Sequence, residues 1–176
     1  MKKIALLLSV FFTLTAVAQV KQTVTKSNVI FRIKNMGVMT GGSFNGLVAD
    51  IKFDPNNLSA SSIDAFVDAR TIDTDNGLRD NHLKSTDYFD VDRYPKISMK
   101  SVSFKHKRAG NYTGIFNVTI KNKTKTVEVP FTYTADGSVA SFEGSFRINR
   151  LDFGIGDTSM VLSNEATVSI KLETAK

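Results

Sequence analysis

The chain has 176 residues, a formal net charge of +6 and no cysteine. The lack of thiols excludes disulfides, thiolate metal sites and a lipid anchor of the bacterial lipoprotein kind. Lys and Arg are spread through most of the predicted strands, so we expect no nucleic-acid partner, whereas transient attraction to an anionic membrane surface stays open.

The amino-terminal segment is typical of a bacterial secretory signal. Two lysines precede a short apolar run at residues 4–14, and an Ala-Val-Ala cleavage pattern follows at residues 16–18. Cleavage there removes residues 1–18 and leaves 19–176, a length that suits one domain. No later apolar run is long enough to span a bilayer, so we expect a soluble protein that is periplasmic or secreted.

From residue 27 onwards, apolar and polar residues alternate with the period of two that is typical of β-strands. Eight such segments are predicted, mostly joined as sequential hairpins, and they indicate an antiparallel all-β fold that is either a barrel or a sandwich. The residues expected on the inward face are Val29, Phe31 and Ile33; Leu47, Ala49, Ile51 and Phe53; Ile63, Ala65, Val67 and Ala69; Ile97, Met99, Val102 and Phe104; Tyr112, Gly114, Phe116, Val118 and Ile120; Val127, Val129, Phe131 and Tyr133; Phe142, Gly144, Phe146 and Ile148; and Ala166, Val168, Ile170 and Leu172.

Several residues are expected to interrupt these strands. Phe44 is out of phase with the second strand, so Asn45-Gly46 is predicted to form a bulge. The fourth strand shifts its phase near Ser101. Asn122-Lys123 and Asp136-Gly137 are predicted turns, the latter a strong hairpin signal.

Residues 76–90, NGLRDNHLKSTDYFD, do not alternate. They predict a short helix with one apolar side, with Thr74 or Asp75 capping its start. We expect the helix to pack across one end of the barrel, either as a plug or as a lid that admits an apolar ligand. The residues expected on its apolar side are Leu78, Leu83, Tyr88 and Phe89.

Catalytic and metal-binding motifs are missing from the sequence. No Gly-x-Ser-x-Gly, His-Glu-x-x-His or phosphate loop is present, and His82 and His106 lie in different segments. Asp73, Asp75, Asp80 and His82 match no calcium-loop spacing. We therefore expect a protein that is not an enzyme, with no catalytic residue, no metal and no cofactor.

The thirteen phenylalanines stand beside four tyrosines and no tryptophan. In a β-protein such residues first predict a core filled by side chains. The alternative is a cavity, and its lining would then be hydrocarbon-like, with few polar groups to hold a sugar or nucleotide. A ligand of such a cavity would be a lipid, bound with about 0.8 kcal/mol per buried methylene.

Several motifs, spread over essentially the whole mature chain, resemble those of the YceI-like family of bacterial polyisoprenoid-binding proteins. They are Ser27-Asn28-Val29-Ile30-Phe31, Gly42-Ser43-Phe44, Thr74-Asp75-Asn76, Arg79-Asp80, His82-Leu83, Asp87-Tyr88-Phe89-Asp90, Tyr94-Pro95, Ile148-Asn149-Arg150, Asp152-Phe153-Gly154 and Ile155-Gly156. The resemblance implies a periplasmic lipocalin-like antiparallel barrel, without known catalytic activity, that encloses a long apolar chain. Isoprenoid quinones and polyprenyl phosphates are the ligands that it implies.

With this resemblance, the sequence predicts an eight-stranded antiparallel lipocalin-like β-barrel with one short helical insertion. Alternation, rather than any family motif, supplies the predicted lining of its interior. The predicted ligand-binding residues are Phe31, Ile33, Ile51, Phe53, Val67, Leu83, Phe89, Ile97, Met99, Phe104, Phe116, Val118, Phe131, Phe142, Phe146 and Ile148.

A set of polar residues completes the prediction. It either forms a structural network that pins the helix and the connection between the last two strands to the barrel, or its arginines meet a ligand headgroup at the mouth. The predicted function is an exported soluble lipid-binding protein for transport, storage or sequestration. The alternative is a non-catalytic stress-related or protein-interaction barrel with a filled core, and a homodimer stays open. The polar residues are Arg79, Asp80, His82, Asn149, Arg150 and Asp152.

Overall fold

The computed structural model describes residues 22–175, and the predicted signal at residues 1–18 lies outside them. Within this range nine strands form: β1 (Thr23–Asn35), β2 (Val38–Phe44), β3 (Val48–Lys52), β4 (Ser62–Asp68), β5 (Lys96–Arg108), β6 (Asn111–Ile120), β7 (Lys123–Asp136), β8 (Val139–Asn149) and β9 (Leu162–Ala175). The helices are α1 (Gly77–Lys84) and three 3-10 turns, Leu58–Ala60, Ala69–Thr71 and Arg150–Phe153.

All nine strands form one antiparallel sheet in the order β2-β1-β9-β8-β7-β6-β5-β4-β3. The sheet curls until β1 approaches β3, the strand at the opposite edge. Gln22, the residue before β1, shows this, because its amide donates to the Ile51 carbonyl on β3 at 3.2 Å. This bridge is isolated, so the barrel is closed only in part along that seam. The antiparallel all-β fold with one short α-helix is therefore confirmed.

The predicted strand count was wrong, because β2 lies in a segment that was not expected to be a strand. Its sequence, VMTGGSF, lacks alternation and holds two adjacent glycines. Pairing with β1 makes it a strand: Arg32 lies opposite Gly41, where an added Cβ would overlap the backbone carbonyl of Phe31. Close approach of two backbones thus explains Gly41, and an added Cβ on Gly42 would likewise overlap the backbone carbonyl of Asp73.

The predicted bulge at Asn45-Gly46 was also wrong. These residues belong to the connection from β2 to β3, where Gly46 takes a φ of 70° that favours glycine. The expected phase shift in the fourth predicted strand is confirmed as an irregularity in the pairing of β5 with β6 between Ser101 and Ser103. Val102 stands in that irregularity, and its predicted inward position was wrong, because the side chain is 58% exposed.

The N-cap of helix α1 lies one residue after Asp75 and two after Thr74, the two predicted caps. The Asn76 side chain accepts from the Arg79 amide at 3.0 Å, so Asn76 is the N-cap rather than Thr74 or Asp75. Leu78, expected on the apolar side, is 85% exposed. The packed apolar residues instead follow at the helix end and in the turn after it, where Phe89 is buried.

The two ends of the barrel differ. At the end where Val139 pairs with Ala175, aromatic rings fill the interior, and we call this the closed end. At the other end Asn35 pairs with Leu162 and β8 finishes at Asn149; we call this the open end. Helix α1 lies there too, because the turn after it is hydrogen-bonded to the loop that follows β8.

Candidate functional site

A cavity of about 380 Å³ occupies the interior of the curled sheet. Its wall is built from inward-facing side chains of the strands together with residues of α1 and the turn after it. Alternation along each strand explains this, since every second side chain points to the same face. The filled-core alternative does not describe this interior, because native cores have few voids larger than a water molecule.

Most of the predicted ligand-binding residues lie together on the wall of this cavity. Whether they contact a ligand stays a prediction. Those on the wall are Phe31, Ile33, Ile51, Val67, Leu83, Phe89, Ile97, Met99, Phe116, Val118, Phe131, Phe142, Phe146 and Ile148.

Phe53 and Phe104 are the exceptions, and their assignment to the wall needs correction. The Phe53 ring lies 5.4 Å from the ring of Phe104 and 4.9 Å from that of Tyr133, within an aromatic cluster that fills the closed end. Edge-to-face contacts of this kind stabilise an aromatic core. Alternation correctly placed both residues inside, but it carries no information on depth along the barrel axis.

Other wall residues were missed by the sequence-based assignment. Phe44 lies on the unpredicted strand β2, so no pattern indicated it. The other missed wall residues could have been found from the sequence, since they stand on the predicted inward faces of their strands. These further wall residues include Val29, Leu47, Ile63, Ala65, Val129, Ala166, Val168, Ile170 and Leu172.

The mouth of the cavity lies at the open end. We define it by the wall residues there that are exposed or half-buried: Asn35 and Leu162 from β1 and β9, Thr40 from β2, and Arg79 and His82 from α1. Polar groups thus gather at the entrance, while the deeper wall is mainly hydrocarbon and aromatic. An amphiphile fits such a site with its apolar part inside.

Arg79 and Asp80 both form hydrogen bonds with Thr74, not with a strand of the barrel. One Asp80 carboxylate oxygen accepts from the Thr74 amide at 2.9 Å and also from its hydroxyl. The Arg79 Nε donates to the Thr74 hydroxyl oxygen at 2.9 Å, and Nη2 donates to its carbonyl. Because Thr74 precedes α1 and is buried at the cavity wall, this clasp holds the start of the helix at the mouth.

Arg150 forms a separate cluster on the connection from β8 to β9. Its guanidinium is buried and donates to three backbone carbonyls, those of Ser163 (3.0 Å), Ile155 (2.8 Å) and Asp157 (2.7 Å). A fourth bond at 3.2 Å reaches the side-chain oxygen of Asn164. The fork geometry of arginine suits several acceptors at once, and the bonds tie the loop to the start of β9.

The remaining predicted polar residues do not join one network. Asn149 accepts from the Leu151 amide at 3.0 Å and so caps the 3-10 turn Arg150–Phe153. The His82 ring packs on the Tyr88 ring at 4.7 Å between centroids. Neither Asp80 nor Asp152 reaches the cavity wall. The single network expected from the sequence is therefore two local clusters.

Within residues 22–175, no group of three or more His, Cys, Asp or Glu is placed to hold a metal ion. Burial raises the pKa of Tyr133 above 10.0, with smaller effects from Tyr112 and Asp54. That residue lies in the closed-end aromatic cluster, away from the mouth. No helix in the described part of the chain has the length and apolar character needed to span a membrane.

Comparison with known proteins identifies relatives over most of the chain. The family described as "YceI-like domain" matches residues 20–174. A UPF0312 protein of Yersinia enterocolitica is 30% identical over 150 residues, which cover 81% of this chain and 78% of the relative. A UPF0312 protein of Vibrio cholerae is 28% identical over 136 residues, covering 73% and 72% respectively.

Solved structures share the fold. BcnA of Burkholderia cenocepacia superposes with a TM-score of 0.80 and 27% identity, covering 84% of this chain and 95% of BcnA. A polyisoprenoid binding domain from Saccharophagus degradans, implicated in plant cell wall breakdown, superposes with a TM-score of 0.71, covering 88% and 97%. Its identity is 11%, so this second likeness concerns the fold alone.

Proposed function

Since this chain belongs to the YceI-like domain family, we propose that it is an exported lipid-binding protein. It encloses a long apolar chain, such as a polyisoprenoid, an isoprenoid quinone or a similar amphiphile, inside the barrel. The bound molecule is carried, stored or sequestered there without being changed.

The cavity is the observation that carries this proposal. Packed protein interiors leave few voids larger than a water molecule, whereas the curled sheet keeps an apolar cavity of about 380 Å³ that opens at the mouth. Water in such a cavity finds few polar partners on its wall. A barrel that keeps such a space therefore gains from an occupant that matches its wall.

The ligand class follows from the character of the wall and from the family. Aromatic and aliphatic side chains, such as those of Phe116, Val118 and Phe146, offer dispersion contacts and no hydrogen bonds. Each methylene buried against them contributes about 0.8 kcal/mol. A protein of the same fold is described as a polyisoprenoid binding domain, and we bring that ligand class to this chain as a proposal.

Binding without catalysis is the second part of the proposal. At the mouth, the imidazole of His82 packs on Tyr88, and near it the carboxylate of Asp80 accepts hydrogen bonds from Thr74. General base catalysis requires such a group within hydrogen-bond reach of a reacting atom. The contacts of both groups are better suited to holding α1 in place.

Export is the third part, and it rests on the amino-terminal sequence. The lysines at positions 2 and 3, the apolar run at 4–14 and the small residues at 16–18 are the features of a cleaved signal. The intact mass of the protein recovered from the periplasm of a Gram-negative host tests this directly. We expect a chain that begins at Gln19, and the uncleaved mass in the cytoplasm would contradict export.

Mass spectrometry of the exported protein, purified without detergent, tests lipid binding. Native spectra should show a stoichiometric apolar molecule, released only on denaturation and identified after organic extraction. Delipidated protein should take up an added quinone or polyprenyl phosphate. A clean ligand-free mass with no uptake of either would refute lipid carriage and favour a role for the outer surface.

A further inference from the structure

The open end carries an apolar patch that the lipid-binding cavity does not explain. Nine large apolar side chains are exposed in residues 22–175, and five of them lie in two short segments beside the mouth. We call these five the rim patch. Large exposed apolar patches mark surfaces that meet another molecule. The rim patch consists of Met36, Val38, Met39, Met160 and Val161.

The two segments form one surface. The Met36 amide donates to the Val161 carbonyl at 2.8 Å, which joins the β1–β2 turn to the loop before β9. The patch is continuous with the mouth, because Asn35 pairs with both Val38 and Leu162. An apolar chain that leaves the cavity through the mouth therefore passes directly over these side chains.

We propose that the rim patch docks the protein onto a phospholipid bilayer surface, with the mouth facing the membrane. This inference rests on the proposed lipid-binding function and identifies the bilayer as the partner that the mouth of the cavity contacts. The turn at Met36 and the loop at Met160 enter the interfacial layer, and the ligand passes between cavity and membrane without crossing water.

The chemistry of the patch favours a membrane. Methionine is flexible and polarisable, so its side chain adapts to a fluid surface as well as to a shaped one. Residues 35–39 and 158–162 carry no charged side chain, and Lys34, which lies opposite Met39 in the sheet, is an exposed cation beside them. Arg79 at the mouth is exposed as well. Such cations suit anionic headgroups.

The energetics of transfer point the same way. Each methylene exposed to water during exit raises the free energy of the leaving chain, so a long chain that crosses water meets a barrier that grows with its length. Contact between mouth and bilayer removes that barrier. A second copy of this chain on the same patch would instead cover the mouth and obstruct the exit.

Tryptophan reporters test the docking, since the natural chain has no tryptophan. Met160→Trp places the reporter on the rim patch, and Val139→Trp places it at an exposed position of the closed end. Vesicles of phosphatidylethanolamine and phosphatidylglycerol are added, with and without brominated acyl chains. We expect a blue shift and bromine quenching for Met160→Trp only. An equal response from both reporters, or none from either, overturns the proposal.

Charge substitutions give a second, independent measurement. Met36→Asp should weaken vesicle binding by about tenfold or more, because a charge replaces a side chain that enters the interface. Val139→Asp at the closed end should leave binding unchanged. Circular dichroism checks that both variants fold. Sedimentation that shows a wild-type dimer, which Met36→Asp dissociates, would overturn docking and assign the patch to a second copy.

The same samples separate this proposal from the proposed function. Native mass spectrometry reports the bound lipid, whereas the reporters respond to vesicles whether or not the cavity is loaded. Retained lipid without vesicle binding refutes the docking alone. Vesicle binding by a protein that never holds lipid refutes the carrier function and leaves a membrane-associated protein.

Discussion

Replacing Arg150 with methionine should destabilise the lipid-free protein by about 4 kcal/mol. The guanidinium is buried and donates four hydrogen bonds, three of them to backbone carbonyls. Methionine fills a similar space but donates nothing, so those acceptors lose their partners. Leaving a buried polar group unsatisfied costs about 1–3 kcal/mol each, and local relaxation reduces the sum.

A loss of this size is easily measured. For a domain of this length, 1 kcal/mol shifts the Tm by about 2–4 °C, so the midpoint should fall by on the order of 10 °C. Urea denaturation of delipidated protein gives the free energy of unfolding itself. Lipid must be removed first, because a ligand that binds only the folded state masks the loss.

Arg147→Met is the matched control. Arg147 lies three residues earlier, on β8, and its exposed guanidinium pairs with Glu165 at 3.3 Å. Exposed pairs contribute about 0.5 kcal/mol, so the control should unfold close to the wild type. Arg150→Lys keeps the charge without the fork and should recover only part of the loss.

One outcome would refute this reasoning. If Arg150→Met and Arg147→Met unfold at the same urea concentration, the buried hydrogen bonds do not hold the loop. If, in addition to this unchanged stability, Arg150→Met fails to retain lipid, the guanidinium acts on the ligand headgroup and not on the loop.

Three further predictions concern the interior, the helix and the closed end. Ala166→Phe, which fills part of the cavity, should reduce bound lipid in native mass spectra, whereas Ala135→Phe on the exposed surface should not; equal retention would contradict the cavity as the ligand site. Asn76→Ala removes the N-cap of α1 and should cost about 1 kcal/mol in urea denaturation, and an unchanged midpoint would argue against the cap. Because the pKa of Tyr133 is raised in the folded state, its stabilising contribution is complete below pH 10.0 and is lost as the pH rises through the folded pKa. Tyr133→Phe should therefore flatten the alkaline fall in stability, and an identical fall in both proteins would contradict the burial.

The alternation of residues was sufficient to predict an antiparallel all-β fold and the inward face of most strands. A strand places successive side chains on opposite faces, so this information is local and needs no tertiary contact. The break in alternation at residues 76–90 likewise indicated the helical insertion. The existence of β2 was not predictable in this way, because Gly41 is explained only by the β1 backbone that lies against it, and Gly42 by the backbone of Asp73.

The tertiary structure decided how deep each inward side chain lies along the barrel axis and which groups the arginines contact. Phe53 and Phe131 share the inward face, yet Phe131 lines the cavity and Phe53 does not, since position along the barrel axis depends on strand register and curvature. Arg79 and Arg150 both stand in motifs typical of the family, and their partners could not be told apart from the sequence. In the structure Arg79 donates to Thr74, whereas Arg150 donates to the loop between β8 and β9. The sequence by itself determined the inward face of most strands, because that follows from backbone geometry within a strand, and Val102 departs from it only where the pairing of β5 is irregular. Which of them leave space for a ligand was decided by contacts between residues far apart in the chain, and no local pattern encodes these.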